Sequence, residues 1–248
     1  MQLQNKTVVI TGGSKGIGRG IVAAFSETGA NVWAIARSQG PLDTLKQEFS
    51  GVQTWAADIA HEETASHVMR EIRPDILILN AGATPTLRPV QTLSWQQFSQ
   101  VWNTDVKSTF TFGKESLTMP MAPGSVVVIM SSGAALQGSP LSGDYAGAKR
   151  MQWLLANYLQ QQADALNLGI RFIALLPKQI LGDTELGHAA SSAYAASQGI
   201  SKAAFLERFG APLTPNDVGQ GILKLLTEAR YQNGTAFTIT SQGLEAIG

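Results

Sequence analysis

The chain has no cysteine, which excludes disulfides, thiol nucleophiles and zinc sites built on sulfur. Histidine is scarce as well. His61, His67 and His188 form no i,i+4 pair of the helical zinc type, so each reads as a surface residue and no metal centre is expected. Neither sign of charge is in excess: 18 Lys and Arg balance 18 Asp and Glu and lie scattered. Nucleic acid and anionic membrane surfaces are therefore not expected partners. No run of about 18 apolar residues occurs, so no membrane-spanning segment is expected. The opening Met1-Gln-Leu-Gln-Asn-Lys6 leads straight into a strand pattern, so no signal peptide is expected. With the missing cysteines, this fits a cytoplasmic location.

What is present points to a buried core. Apolar residues make up 44% and charged residues 15% of 248, a globular rather than a disordered balance. Short apolar runs recur at Thr7–Thr11, Asn31–Ala36, Gln53–Ala57, Ile76–Asn80, Ser125–Ser131, Ile170–Leu176 and Thr235–Thr240. Several are unbroken, such as Ile76-Leu-Ile-Leu79, which suggests strands covered on both faces of a parallel sheet. Helix patterns lie between them. Met151, Leu154, Leu155, Tyr158 and Leu159 form one apolar stripe, and Thr214-Pro-Asn-Asp217 reads as a capped helix start. This alternation predicts an α/β fold, a doubly wound parallel sheet of about seven strands with helices on both faces. No repeat or linker divides it, so residues 1–248 are expected to form a single domain. The stretch 182–215 has no strand pattern and reads either as a lid over a site or as a pair of small surface helices.

Thr11-Gly-Gly-Ser-Lys-Gly-Ile-Gly18 follows the first strand and opens a helix. Gly12, Gly16 and Gly18, with Ser14, Lys15 and Ile17 between them, permit a tight turn whose amides approach a pyrophosphate at a helix N-terminus. The strand–turn–helix context makes this a dinucleotide-binding turn. At the end of the second strand an acid would hold ribose hydroxyls, whereas Arg37 stands there; with Lys15 it suits a 2′-phosphate, predicting NADP(H) over NAD. Further along, Tyr145 and Lys149 are four residues apart and share one face of a helix. A fixed positive charge favours phenolate over phenol, which makes Tyr145 a candidate proton donor and acceptor.

These motifs together resemble the short-chain dehydrogenase/reductase family over essentially the whole chain. The matching elements occur in the family's order: the Thr11–Gly18 turn, Asp58-Ile59, Asn80-Ala-Gly82, Ser132, Tyr145-x3-Lys149, then Pro177 and Ile180. The resemblance implies a Rossmann-fold oxidoreductase. Ser132 would hydrogen-bond the substrate oxygen, and Tyr145 would exchange a proton with it. Lys149 would favour the phenolate and hold the nicotinamide ribose hydroxyls. Asp58 and Ile59 would flank the adenine, the Asn80, Ala81 and Gly82 backbone would line the cleft, and Pro177 and Ile180 would meet the nicotinamide side. Where relatives carry a relay asparagine this chain has Asp105, whose charge would stabilise the Lys149 ammonium and weaken its action on Tyr145. The usual Pro-Gly after the sixth strand is Pro177-Lys178, and the usual C-terminal Asp-Gly-Gly is Ser241-Gln242-Gly243. The expected activity is NADP(H)-dependent reduction of a small or medium carbonyl, or oxidation of its alcohol, by a homodimer or homotetramer. A 3-oxoacyl-thioester reductase and a non-catalytic nucleotide-binding regulator are the alternatives.

Overall fold

The computed structural model describes residues 1–179 and 184–247. Among these residues seven strands run parallel: β1 (Thr7–Thr11), β2 (Asn31–Ala36), β3 (Gln53–Ala56), β4 (Ile76–Leu79), β5 (Val126–Met130), β6 (Arg171–Pro177) and β7 (Ala236–Thr240). An eighth, β8 (Gly243–Ala246), pairs antiparallel with β7. The sheet order is β3-β2-β1-β4-β5-β6-β7-β8, so the chain reverses direction of growth between β1 and β4. The helices are α1 (Gly16–Ser26), α2 (Gln39–Glu48), α3 (Glu62–His67), α4 (Trp95–Val101), α5 (Lys107–Thr118), α6 (Ala134–Gln137), α7 (Gly143–Ala165), α8 (Glu185–Ser197), α9 (Lys202–Glu207) and α10 (Pro215–Thr227).

The unbroken hydrophobic runs become strands covered on both faces. Val8, Ile10, Ile76, Ile78, Val126 and Val128 enter one core with residues of α1, α2 and α10. Their sequence neighbours Val9, Leu77, Leu79, Val127 and Ile129 enter a second core with residues of α5 and α7. A strand alternates its side chains across the sheet, so only an all-apolar run fills both layers. On the first face α1 and α10 meet at glycines. A Cβ on Gly20 would lie 2.3 Å from Pro215 O, and one on Gly219 would lie 2.5 Å from Gly20 O. The capping box at Thr214 and Asp217 starts α10 at that contact, as the sequence predicts.

Two local expectations change. The apolar stripe on α7 divides: Leu155 and Leu159 join the core beside Gln152, Ala156 and Ala163, whereas Tyr158 is 51% exposed. β8 was not foreseen, because Gly243-Leu-Glu-Ala246 carries no apolar run and takes its shape from pairing with β7. The stretch 182–215 begins in residues outside the described set and continues as α8 and α9, joined by stacked Tyr194 and Phe205 and by Lys202 Nζ on His188 Nδ1 at 2.7 Å. Among the described residues, no helix is long and apolar enough to cross a membrane.

Candidate functional site

A cleft of about 790 Å³ opens at the carboxyl ends of the parallel strands, where β1 and β4 part. Such a reversal point is where open α/β sheets bind ligands, because the loops on either side diverge. Fourteen of the residues singled out in the sequence line it: Gly12, Ser14, Lys15, Gly16 and Ile17 from the first turn, Arg37, Asp58 and Ile59, Asn80, Ala81 and Gly82, and Asp105, Tyr145 and Lys149. Gly18, Ser132 and Pro177 are not in its lining, and Ile180 lies outside the described residues.

The glycine turn is shaped by close approach. Gly12 has φ 68°, and a Cβ there would meet Ala81 Cα at 2.9 Å. Gly18 is buried behind the turn, where a Cβ would reach Gly12 O at 2.0 Å. Asn80 Nδ2 donates to Thr11 O at 3.0 Å, and Thr11 Oγ1 accepts from the amides of Asn80 and Ala81. These bonds tie the β4 end to the turn. α1 begins with no side-chain cap and no acid in its first turn. Its leading amides are the donors of an uncapped helix end, facing the cleft with the positive end of the helix dipole.

The cations at this end differ. Lys15 Nζ pairs with Glu185 Oε1 at 2.9 Å on the surface, and Arg19 pairs with Glu48. Arg37 lies exposed at the cleft rim and makes no ion pair among the described residues. Thr184, Glu185 and Leu186 at the start of α8 complete that rim.

At the other end, Tyr145 sits in the first turn of α7 and Lys149 one turn later, its ammonium 5.4 Å from the Tyr145 ring centre. Lys149 is buried. Its Nζ lies 3.0 Å from Asp105 Oδ2, 2.8 Å from Gln152 Oε1 and 3.1 Å from Met130 O. Burial works against the ammonium, but the charges of Asp105 and then Tyr145 outweigh it, and the lysine is held above its usual range. Asp105 occupies a wide π-type turn, Trp102–Val106, between α4 and α5. Its Oδ1 accepts from Ala83 N at 2.8 Å, leaving Oδ2 directed at Lys149 with no other partner. Gly82 makes room for that carboxylate, since a Cβ would lie 2.6 Å from Oδ2. Asn103, two residues earlier, points to solvent.

Ser131 and Ser132 separate by their bonds. Ser131 Oγ donates to Lys149 O at 2.7 Å and is buried, whereas Ser132 Oγ is half-buried and accepts from Ala134 N at 3.2 Å. Pro177 O accepts from Gly133 N at 2.8 Å, fixing the end of β6 beneath the Ser132 loop.

Two residues that sequence reading missed belong to this neighbourhood. Gln152 also donates to Thr109 Oγ1 at 2.7 Å and Asp105 O at 3.2 Å. A polar residue on the inward face of α7, three after Lys149, was the available signal. Asp144, beside Tyr145, is fully buried and neither carboxyl oxygen completes a hydrogen bond. Burial pushes its carboxyl above the usual range, partly offset by the amides of Tyr145, Asp144 and Thr86. Nothing in its spacing announced this. Tyr194, Phe205 and Phe209 pack on one another. The Tyr194 hydroxyl bonds Ser139 on the loop before α7.

The family described as short chain dehydrogenase matches residues 6–198. An L-xylulose reductase of Bos taurus is 29% identical over 77% of this chain and 78% of its own. An NADPH-dependent pterin aldehyde reductase of Arabidopsis thaliana is 31% identical over 73% of this chain and 76% of its own. A 3-ketoacyl-(acyl-carrier-protein) reductase from Brucella melitensis, complexed with NADH, superposes with a TM-score of 0.77 over 96% of both chains at 20% identity, a likeness of fold. Motif order, sheet order and the extent of the family match therefore agree, and the chain belongs to the short-chain dehydrogenase family of oxidoreductases.

Proposed function

We propose that the protein is an NADP(H)-dependent oxidoreductase that interconverts a small or medium carbonyl compound and its alcohol. The observation that carries this reading is the convergence of Tyr145, Lys149, the glycine turn and Arg37 on one cleft. The residues suit a dinucleotide. The uncapped α1 N-terminus offers amides to a pyrophosphate, and Arg37 is open to a 2′-phosphate where NAD-binding sites place an acid. The NADPH dependence in the name of the Arabidopsis relative supports the same choice. When bound, the nicotinamide would supply or accept hydride.

The chain's own groups then manage the oxygen and its proton. Tyr145 is the general acid in reduction and the general base in oxidation. Lys149 provides positive charge beneath the tyrosine, and Asp105 tempers it as a buried counter-ion. Ser132, whose hydroxyl is not tied to Lys149 as that of Ser131 is, holds the substrate oxygen. The described part of segment 182–215, residues 184–215, covers the site as a lid within the single domain, with Thr184 to Leu186 at the rim and Tyr194 anchoring α8 to the loop before Tyr145.

The test is NADPH consumption against a panel of aldehydes, ketones, ketoses and a 3-oxoacyl thioester. Tyr145→Phe is expected to lower kcat by about 10²–10⁴, the range of a lost general acid. Tight NADPH binding with no turnover, unchanged by that substitution, would establish a nucleotide-binding regulator instead. Turnover confined to the thioester would narrow the activity to acyl chains.

A further inference from the structure

Three protein oxygens crowd the Lys149 ammonium, two in hydrogen bonds and the third in an ion pair. An ammonium carries three N–H groups, and three protein oxygens stand within 3.1 Å of Nζ: Met130 O, Gln152 Oε1 and Asp105 Oδ2. Resting on the dinucleotide reading above, this arrangement conflicts with a lysine expected to donate to nicotinamide ribose hydroxyls. One acceptor must be given up for that bond to form.

The three are not equally dispensable. Met130 O is a backbone atom at the end of β5 and cannot swing away. Releasing Asp105 would strand a buried carboxylate whose Oδ2 has no other partner, the costliest exchange in a dry site. Gln152 is neutral and flexible. Its amide is also oriented by its surroundings: Nε2 donates to Thr109 Oγ1 and Asp105 O, which leaves Oε1 for the ammonium. The wide turn at Trp102–Val106 places Asp105 O within reach of Gln152, so the same local distortion serves both partners of the lysine.

We propose that Gln152 is a positioning residue that parks the Lys149 ammonium, and that binding of the nicotinamide half of the dinucleotide requires Lys149 to exchange Gln152 Oε1 for a ribose hydroxyl. Gln152 thereby sets the affinity for the reactive half of the cofactor without touching it. The adenosine half, at the far end of the cleft beside Arg37, is indifferent to the exchange.

The experiment compares dissociation constants in the native chain, Gln152→Met and Gln152→Glu. The ligands are NADP+ and adenosine 2′,5′-bisphosphate, which lacks the nicotinamide ribose; NAD+ and AMP form a parallel pair. Methionine keeps the shape and removes the acceptor, so NADP+ should bind about threefold to tenfold tighter, the weight of one hydrogen bond no longer displaced. Glutamate strengthens the hold on the ammonium, so NADP+ should bind weaker by a similar factor. Adenosine 2′,5′-bisphosphate should not change in either variant. A packing role would move both variants in one direction, or both ligands together, and either result overturns the proposal, as does an unchanged Kd for NADP+. Should one variant fail to fold, the other decides alone. A native chain that binds neither NADP+ nor NAD+ overturns the functional reading and this proposal with it, whereas native binding unaltered by the substitutions overturns this proposal only.

Discussion

Asp144 and Lys149 are two buried charges on one helix, and their surroundings treat them in opposite ways. Lys149 has a carboxylate and two neutral oxygens around it, and its ammonium is favoured despite burial. Asp144 has no full hydrogen bond, and burial favours its neutral form. A carboxyl raised in the folded chain binds its proton more tightly there than in the unfolded chain. Its contribution to stability is present at pH below the ordinary carboxylate value and is lost as pH rises through the folded value. At neutral pH the buried Asp144 carboxyl therefore burdens the fold. Asp144→Asn is expected to raise Tm at pH 7 by about 2–4 °C, the change that one kcal/mol produces in a chain of this length. The gain should shrink towards about pH 4, where the native carboxyl is protonated too. Calorimetry across that range checks it, and a gain independent of pH would mean that desolvation of the charge is not the cause.

Among the elements, α1 does two jobs through its glycines. Its N-terminus carries no side-chain cap, which the proposed function uses for an anion, and Gly20 lets α10 approach its middle. A methyl group at Gly20 would strike the Pro215 backbone at 2.3 Å, at the capping box that starts α10. Backbone cannot turn aside as a side chain can. Gly20→Ala is expected to destabilise the protein by about 1–3 kcal/mol, the usual cost of overpacking, and chemical denaturation measures it. The loss should come mainly from the α1–α10 contact, so an additional Gly219→Ala should add less than it costs alone. Full additivity would place the two glycines in separate contacts.

At the scale of the whole molecule, the sheet carries the two ends of the cleft on different strands. Arg37 follows β2, whereas Tyr145 and Lys149 reach the site from α7 after β5. The proposed function would thus place nucleotide choice and proton transfer on parts of the fold that meet across the cleft. Arg37→Asp is expected to reduce the preference for NADPH over NADH by about tenfold or more, since a charge-assisted pair becomes a repulsion. The ratio of kcat/KM for the two cofactors is the measurement; an equal ratio before and after would remove Arg37 from that role.

The sequence by itself determined the layers of this protein. Unbroken runs such as Ile76–Leu79 and Val126–Met130 can be satisfied only by a sheet covered on both faces, and the glycine turn needs a strand before it and a helix after it. The pairing of Tyr145 with Lys149 was legible for the same reason, because helix geometry converts a spacing of four into one face. β8 was not legible, since its residues are strand-like only beside β7. Nor were the partners of Lys149. Asp105 comes from a wide turn between α4 and α5, Met130 from the end of β5, and Gln152 from the buried side of α7. Only the tertiary structure brings these three oxygens within 3.1 Å of one ammonium. Local patterns record the period of a helix or strand, but the electrostatics of a buried charge depend on atoms that the fold alone makes neighbours.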